Sequence, residues 1–193
     1  MVQVILIRPG ASDYVEQGRI QGTIDMPLSQ HGADEVARLV DELAGRGIEA
    51  IYTGTCHPTL ETATAIAAAL DVKLKKLKHM QNLDHGLWQG MLIEEVRRKQ
   101  PTVYRQWQDQ PESIRPPQGE TLAEARSRVE HALAKILKKH KSGVIGLVLP
   151  EPLASLVRAK LTLRELGDLW EAETEHGGYE TLVVEPVAGG SRR

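Results

Sequence analysis

Phenylalanine is missing from this chain, and aromatic residues fill only 4% of its 193 positions. Apolar residues still make up 41%, so the expected interior is globular and mainly aliphatic, not disordered. A chain of this length is one domain, or one domain with an insertion, and can bury roughly 70% of its unfolded surface. Cys56 has no second cysteine to pair with, which rules out an internal disulfide and suits a reducing compartment. Neither sign of charge dominates: the formal net charge is −2 and the isoelectric point about 6.4. That balance argues against a dedicated nucleic-acid binder, which usually carries a strong basic excess. No apolar stretch approaches the ~20 residues needed to cross a bilayer, and the first apolar run lacks the length and basic leader of a secretory signal. The expected location is therefore the cytoplasm, with neither membrane nor nucleic acid as a partner. No Cys/His group has metal-ligand spacing, so neither a metal site nor a cofactor is expected.

What is present is ordered around the opening stretch. Val2 to Ile7 is a continuous, β-branched apolar run that breaks into Arg8, Pro9 and Gly10. Such a run reads as a strand buried on both faces of a parallel sheet, and ligands of open α/β sheets gather at the carboxyl ends of those strands. Asp13 to Leu28 reads as a loop. Ser29 is the expected N-cap of a helix reaching about Arg46, with Val36, Leu39, Val40 and Leu43 at helical spacing. A short strand is expected at Ala50 to Thr53, a helix at Pro58 to Leu70, and an edge strand at Lys73 to His79. The lysines there read as solvated edge protection. Leu83 to Gly90 reads as a loop and Leu92 to Lys99 as a charged helix. Pro101 to Pro117 is expected to fold over the sheet in a small irregular cap spanning about 80–118, with Trp88, Tyr104 and Trp107 packed inside. Thr121 with Glu124 three residues on forms a capping box for a helix reaching His140. Val144 to Leu149 is another buried strand, followed by Pro150-Glu151-Pro152 and a helix from Leu153 to about Leu166. A last strand, Thr181 to Glu185, precedes an expected flexible tail at Ala188 to Arg193, leaving 1–187 as one domain.

These residues carry a resemblance. Leu6-Ile7-Arg8-Pro9-Gly10-Ala11-Ser12 resembles the Leu-Ile-Arg-His-Gly-Glu-Thr signature of the histidine phosphatase superfamily. Gly18-Arg19-Ile20-Gln21-Gly22-Thr23-Ile24-Asp25-Met26-Pro27-Leu28 is similar to that superfamily's second motif. Ile51 to Ala63, Leu83 to Gly90 and Gly119-Glu120-Thr121-Leu122 resemble later segments, so the likeness covers nearly the whole chain. It implies a phosphoglycerate-mutase-like α/β/α sandwich with a mostly parallel central sheet. It also implies a mechanism in which a histidine takes the phosphoryl group, two arginines and a second histidine hold its oxygens, and a carboxylic acid protonates the leaving oxygen. An imidazole nucleophile suits neutral pH, and the phosphoryl group in flight needs fixed positive charge around it.

Carried over residue by residue, the nucleophile falls on Pro9, the second arginine on Pro58, the acid on Asn82 and the second histidine on Pro150. Of the five chemical positions, Arg8 alone keeps its side chain. All three prolines sit where a missing N–H is tolerated, just after a strand or in a first helical turn. Arg8 either still holds an anion, with Gln21 and Gly22 of the second motif beside it, or is neutralised by a carboxylate such as Glu151 or Glu61. Cys56, His57 and Glu151 are the candidate substitute groups. His85 reads as a packing or hydrogen-bonding histidine; His31 sits beside Gly32 at a helix start, and His131, His140 and His176 read as remote from the strand ends. The expected function is a catalytically inactive relative that binds or regulates an unidentified protein or small anionic ligand. Two alternatives stand beside it: a phosphomonoester hydrolase or mutase using non-standard residues, and a sensor of an anionic metabolite at Arg8.

Overall fold

A computed structural model describes residues 1–184; the expected tail, and Glu185 at the end of the expected last strand, lie outside them. Five strands, β1 (Val2–Ile7), β2 (Ile48–Thr53), β3 (Lys73–Lys76), β4 (Gly143–Val148) and β5 (Tyr179–Val184), form one sheet in the order β3-β2-β4-β1-β5. Every neighbouring pair is parallel except β1 with β5. Among the described residues the helices are α1 (Asp13–Glu16), α2 (Gln30–Leu43), α3 (His57–Ala69), α4 (Ile93–Lys99), α5 (Pro101–Asp109), α6 (Leu122–Lys139), α7 (Leu153–Thr162) and α8 (Leu169–Ala172).

The unbroken apolar strands follow from having both faces covered. Successive side chains of a strand point to opposite faces, so Val4 and Leu6 enter one core while Ile5 and Ile7 enter another. The first core is completed by Leu133 and Ile136 of α6 and Leu153 and Val157 of α7. The second is completed by Leu39 and Leu43 of α2 and Ala63 and Ile66 of α3. Helices on both faces of a mostly parallel sheet make the expected three-layer architecture. Ile7 and Thr53 both stand opposite Val148, so β1, β2 and β4 end at one level. That shared edge carries the site.

Several local expectations need correction. The loop expected over 13–28 begins with α1, because the Ser12 hydroxyl accepts the Val15 N–H and caps a turn. The stretch 101–117 is more regular than its prolines suggest. Pro101 opens α5 and Pro111 opens a 3-10 turn, both at positions where the lost N–H would have been unpaired anyway. α8 was not anticipated; the Asp168 carboxylate caps it by accepting the Trp170 N–H at 2.9 Å. It brings Trp170 against Trp88 and Trp107, with Tyr104 stacked on its ring at 5.1 Å. The three expected aromatics thus pack together around a fourth. α7 stops at Thr162, where Leu163 turns left-handed with φ 55°. β3 ends at Lys76 and pairs only with β2, at the edge of the sheet. None of the described helices is long and apolar enough to cross a membrane.

The capping box forms as expected. The Thr121 hydroxyl accepts the Glu124 N–H at 3.2 Å, and the Glu124 carboxylate accepts the Thr121 N–H at 2.8 Å. The Thr121 backbone donor, seconded by Arg115, pushes the Glu124 carboxyl down to about 2 from 4.5. Replacing Thr121→Ala should cost about 1 kcal/mol, a fall of roughly 2–4 °C in the unfolding midpoint. A lowered folded-state pKa contributes stability that is complete above the unfolded value and disappears as pH falls through the folded one. Glu124→Gln should therefore flatten the loss of stability between pH 4.5 and about 2, measured as urea midpoints across that window.

Candidate functional site

A narrow cleft opens over the carboxyl ends of β1, β2 and β4. Its walls are Pro9 and Gly10 after β1, Cys56, Pro58 and Thr59 at the start of α3, and Pro150 and Glu151 after β4. Gln21, Gly22 and Asn82 close one side; Glu173, Glu175 and His176, between α8 and β5, close another. The cleft thus gathers the four positions Pro9, Pro58, Asn82 and Pro150, together with Cys56, Glu151, Gln21 and Gly22. His57 is not among its walls. Its ring is half exposed, with Nδ1 3.2 Å from Glu61 Oε1.

The prolines fit their surroundings as backbone acceptors. Pro9 accepts the Gly177 N–H at 2.8 Å, and Pro150 accepts the Ala154 N–H at 3.0 Å. The carbonyl of Pro58, in the first turn of α3, accepts the Thr62 hydroxyl at 2.8 Å. Leu149 closes the ladder by donating to Ile7, so Pro150 falls one residue beyond the last place where an N–H is needed. The Asn82 amide donates to the Gly22 carbonyl at 3.1 Å while its oxygen accepts the Leu83 N–H at 2.8 Å. Gln21 is held by the Ser12 hydroxyl. These contacts fix the loops to one another and leave the cleft lined by pyrrolidine rings, amides and carboxylates.

Arg8 is buried and surrounded by acids. Its Nε lies 2.8 Å from Glu151 and 2.7 Å from Glu175, and its Nη2 3.3 Å from Glu180. Burial disfavours the charge, but the three carboxylates together outweigh it and raise the guanidinium pKa further above the working range. Burial likewise pushes the Glu151 carboxyl up, against the pull of Arg8 and of the Ser155 N–H, which Glu151 accepts at 3.0 Å. Of the two carboxylates expected to neutralise Arg8, Glu151 does so. Glu61 instead pairs with His57 and accepts the Leu28 N–H. No lysine or arginine stands among the described walls of the cleft.

Sequence reasoning missed the segment after α8. Glu173, Glu175 and His176 reach the cleft because Gly177 donates to Pro9 and Gly178 accepts the Arg8 N–H, both at 2.8 Å. His176, expected to lie far from the strand ends, therefore sits beside them. The available signal was the alternating acidic run Glu171-Ala172-Glu173-Thr174-Glu175-His176, which no strand or helix pattern explains. Glu173 meets the buried His85, whose Nε2 lies 2.7 Å away, in line with a hydrogen-bonding histidine. His176 also meets Glu35 and His31 of α2. The ligating atoms of these three residues lie within 4.8 Å of one another, the group among the described residues with the composition to hold a metal ion.

Comparison with known proteins agrees with this framework. The chain matches the Histidine phosphatase superfamily (branch 1) over residues 4–188. It is 31% identical to Phosphoserine phosphatase 1 of Hydrogenobacter thermophilus over 186 residues, 96% of this chain and 88% of that one. It is 30% identical to a probable phosphoglycerate mutase of Klebsiella pneumoniae over 138 residues, 72% of this chain and 64% of the relative. Among solved structures, Bacillus stearothermophilus YhfR superposes with a TM-score of 0.83 at 22% identity, covering 96% of this chain and 92% of its own. A phosphoserine phosphatase from Entamoeba histolytica, solved in complex with 3-phosphoglyceric acid, superposes at 0.78 and 21% identity, over 95% and 91% of the two chains. The family match over residues 4–188 and the 31% identity to a relative covered over 88% of its length make this chain a member of the histidine phosphatase superfamily.

Proposed function

We propose that this member no longer transfers phosphoryl groups and acts instead as a binding or regulatory protein. One observation carries the reading: Arg8, the one family position that keeps its side chain, is buried behind the cleft and already paired with Glu151, Glu175 and Glu180. A phosphoryl group needs positive charge aimed at its equatorial oxygens, and an incoming phosphate here meets carboxylates instead. The attacking position is Pro9, which has no lone pair to offer. Losing a covalent nucleophile costs on the order of a millionfold in kcat. Two of the three candidate substitutes do not compensate: His57 turns to Glu61 outside the cleft, and Glu151 is occupied by Arg8 and Ser155. The same three carboxylates argue against a sensor of anionic metabolites at Arg8.

The relatives favour the other alternative, a phosphomonoester hydrolase or mutase, because their names are those of phosphatases and mutases. Cys56 is the residue through which that reading would have to work, since it lies on the cleft wall at the start of α3. Phosphoserine, 3-phosphoglycerate and p-nitrophenyl phosphate separate the two. The inactive reading expects no phosphate release above buffer from the wild type, Cys56→Ala or His57→Ala. Turnover by the wild type that disappears in either variant overturns it. The ion cluster makes a further prediction about stability. Glu151 is the most buried acid on Arg8 and also accepts the Ser155 N–H; its removal leaves that donor unpaired and Arg8 with two partners, so Glu151→Ala should destabilise the fold by roughly 1–3 kcal/mol, read from urea denaturation. Glu180→Ala, at the more exposed end of the cluster, should cost less.

A further inference from the structure

We propose that His31, Glu35 and His176 form a binding site for one divalent transition-metal ion of the zinc class. The three side chains come from opposite parts of the chain. His31 and Glu35 are four residues apart on one face of α2, and His176 reaches them from the segment before β5. The Glu35 carboxylate is buried. One of its oxygens accepts the Ala11 N–H at 3.0 Å; the other lies 2.7 Å from His176 Nδ1 and 3.4 Å from His31 Nε2. Among the described residues, its ion-pair partners are these two imidazoles alone, and they carry charge only when protonated. A buried carboxylate calls for a cation, and neutral imidazoles are common metal ligands.

The donor set matches sites in which two histidines and one carboxylate hold zinc and leave a fourth position to water. Zinc bonds of ~2.0–2.1 Å at tetrahedral angles place ligating atoms roughly 3.3 Å apart. Here those atoms lie within 4.8 Å of one another, so small side-chain rotations close the site. His31 is 62% exposed, which gives the ion an approach from solvent. The surroundings are built to hold the ligands in place. The Ala11 N–H orients Glu35 from behind, the outer support that metal sites need. Gly177, at φ 58°, has room for no side chain, because a Cβ there would collide with the Glu35 carboxylate. Arg38 ties the Gly177 carbonyl to α2 at 2.7 Å, and Gly32 packs directly on Ala11.

The site requires none of the residues at Pro9, Pro58, Asn82 or Pro150, so it stands independently of whether the cleft is inactive. Calorimetric titration with Zn2+, and Co2+ titration followed by visible absorption, test it on the full chain. The expected result is one equivalent bound, with the intense bands of four- or five-coordinate cobalt and a rise of roughly 5–10 °C in the unfolding midpoint at hundredfold excess over Kd. His31→Ala and His176→Ala should each weaken binding at least tenfold. His31→Ala, at an exposed position, should leave the metal-free midpoint within about 2 °C of wild type, which separates lost binding from lost folding. No binding, or binding that both variants retain because Zn2+ sits at other histidines, overturns the site. Release of p-nitrophenyl phosphate that depends on Zn2+ and is lost in His31→Ala would support the metal site while overturning the inactive reading of the cleft.

Discussion

The guanidinium of Arg8 stands just beyond the end of β1 with three carboxylates closed around it, and the surrounding loops are arranged to meet that charge. Glu151 comes from the turn after β4, Glu175 from the segment after α8 and Glu180 from β5. The cluster therefore joins three segments that are remote in sequence to the carboxyl edge of the sheet. Burying one charge among several is tolerable only when the partners are close and their remaining hydrogen bonds are met. Ser155 meets part of that need by donating to Glu151. The Arg8 main chain does the rest, donating to Gly178 and so fixing the segment that carries Glu175.

The same edge explains how a phosphatase framework keeps its shape with proline at the reacting positions. The sheet, its two apolar cores and the close approach of Gly10 to Gly32 make no use of the side chains at positions 9, 58 and 150. What the fold asks of those positions is a carbonyl acceptor and a backbone free of ladder duties, and proline supplies both. Framework and reagent are separable because stability resides in burial along β1, β2 and β4, whereas chemistry resides in a few side chains beyond their ends. Family membership accordingly reports the former. The identity to Phosphoserine phosphatase 1 extends over 96% of this chain, and a shared scaffold does not by itself supply the reacting side chains.

Much of the architecture was legible because it rests on local patterns. The apolar run of β1, the Ser29 cap of α2 and the Thr121–Glu124 box each declare themselves within a few residues. Expectation failed where structure depends on partners far away. α1 and α8 are single turns secured by Ser12 and Asp168, too short for periodicity to register. The segment 173–178 has no pattern of its own; it takes its path from hydrogen bonds to Arg8 and Pro9. Arg8 and its pairing with Glu151 could be named from sequence because both follow strand ends. Glu175, Glu180 and the meeting of His176 with Glu35, 141 residues apart, could not, because no spacing rule spans such a distance.

That segment changes the sign of what the edge can bind. Phosphoryl transfer needs positive groups around the moving phosphate, and here Glu151, Glu175 and Glu180 close around Arg8. Coulomb interactions at a partly buried edge are far stronger than in bulk water, so on the proposed reading the acids around Arg8 disfavour phosphate there. Glu35 of α2 offers a buried carboxylate flanked by two imidazoles. The two features arise from a single element, since the loop that carries Glu175 to Arg8 also carries His176 to Glu35. Neutralising the arginine and assembling the imidazole–carboxylate group are thus coupled consequences of one chain path. On the proposed reading, the path that closes acids around Arg8 also completes the ligand set for a metal ion on α2.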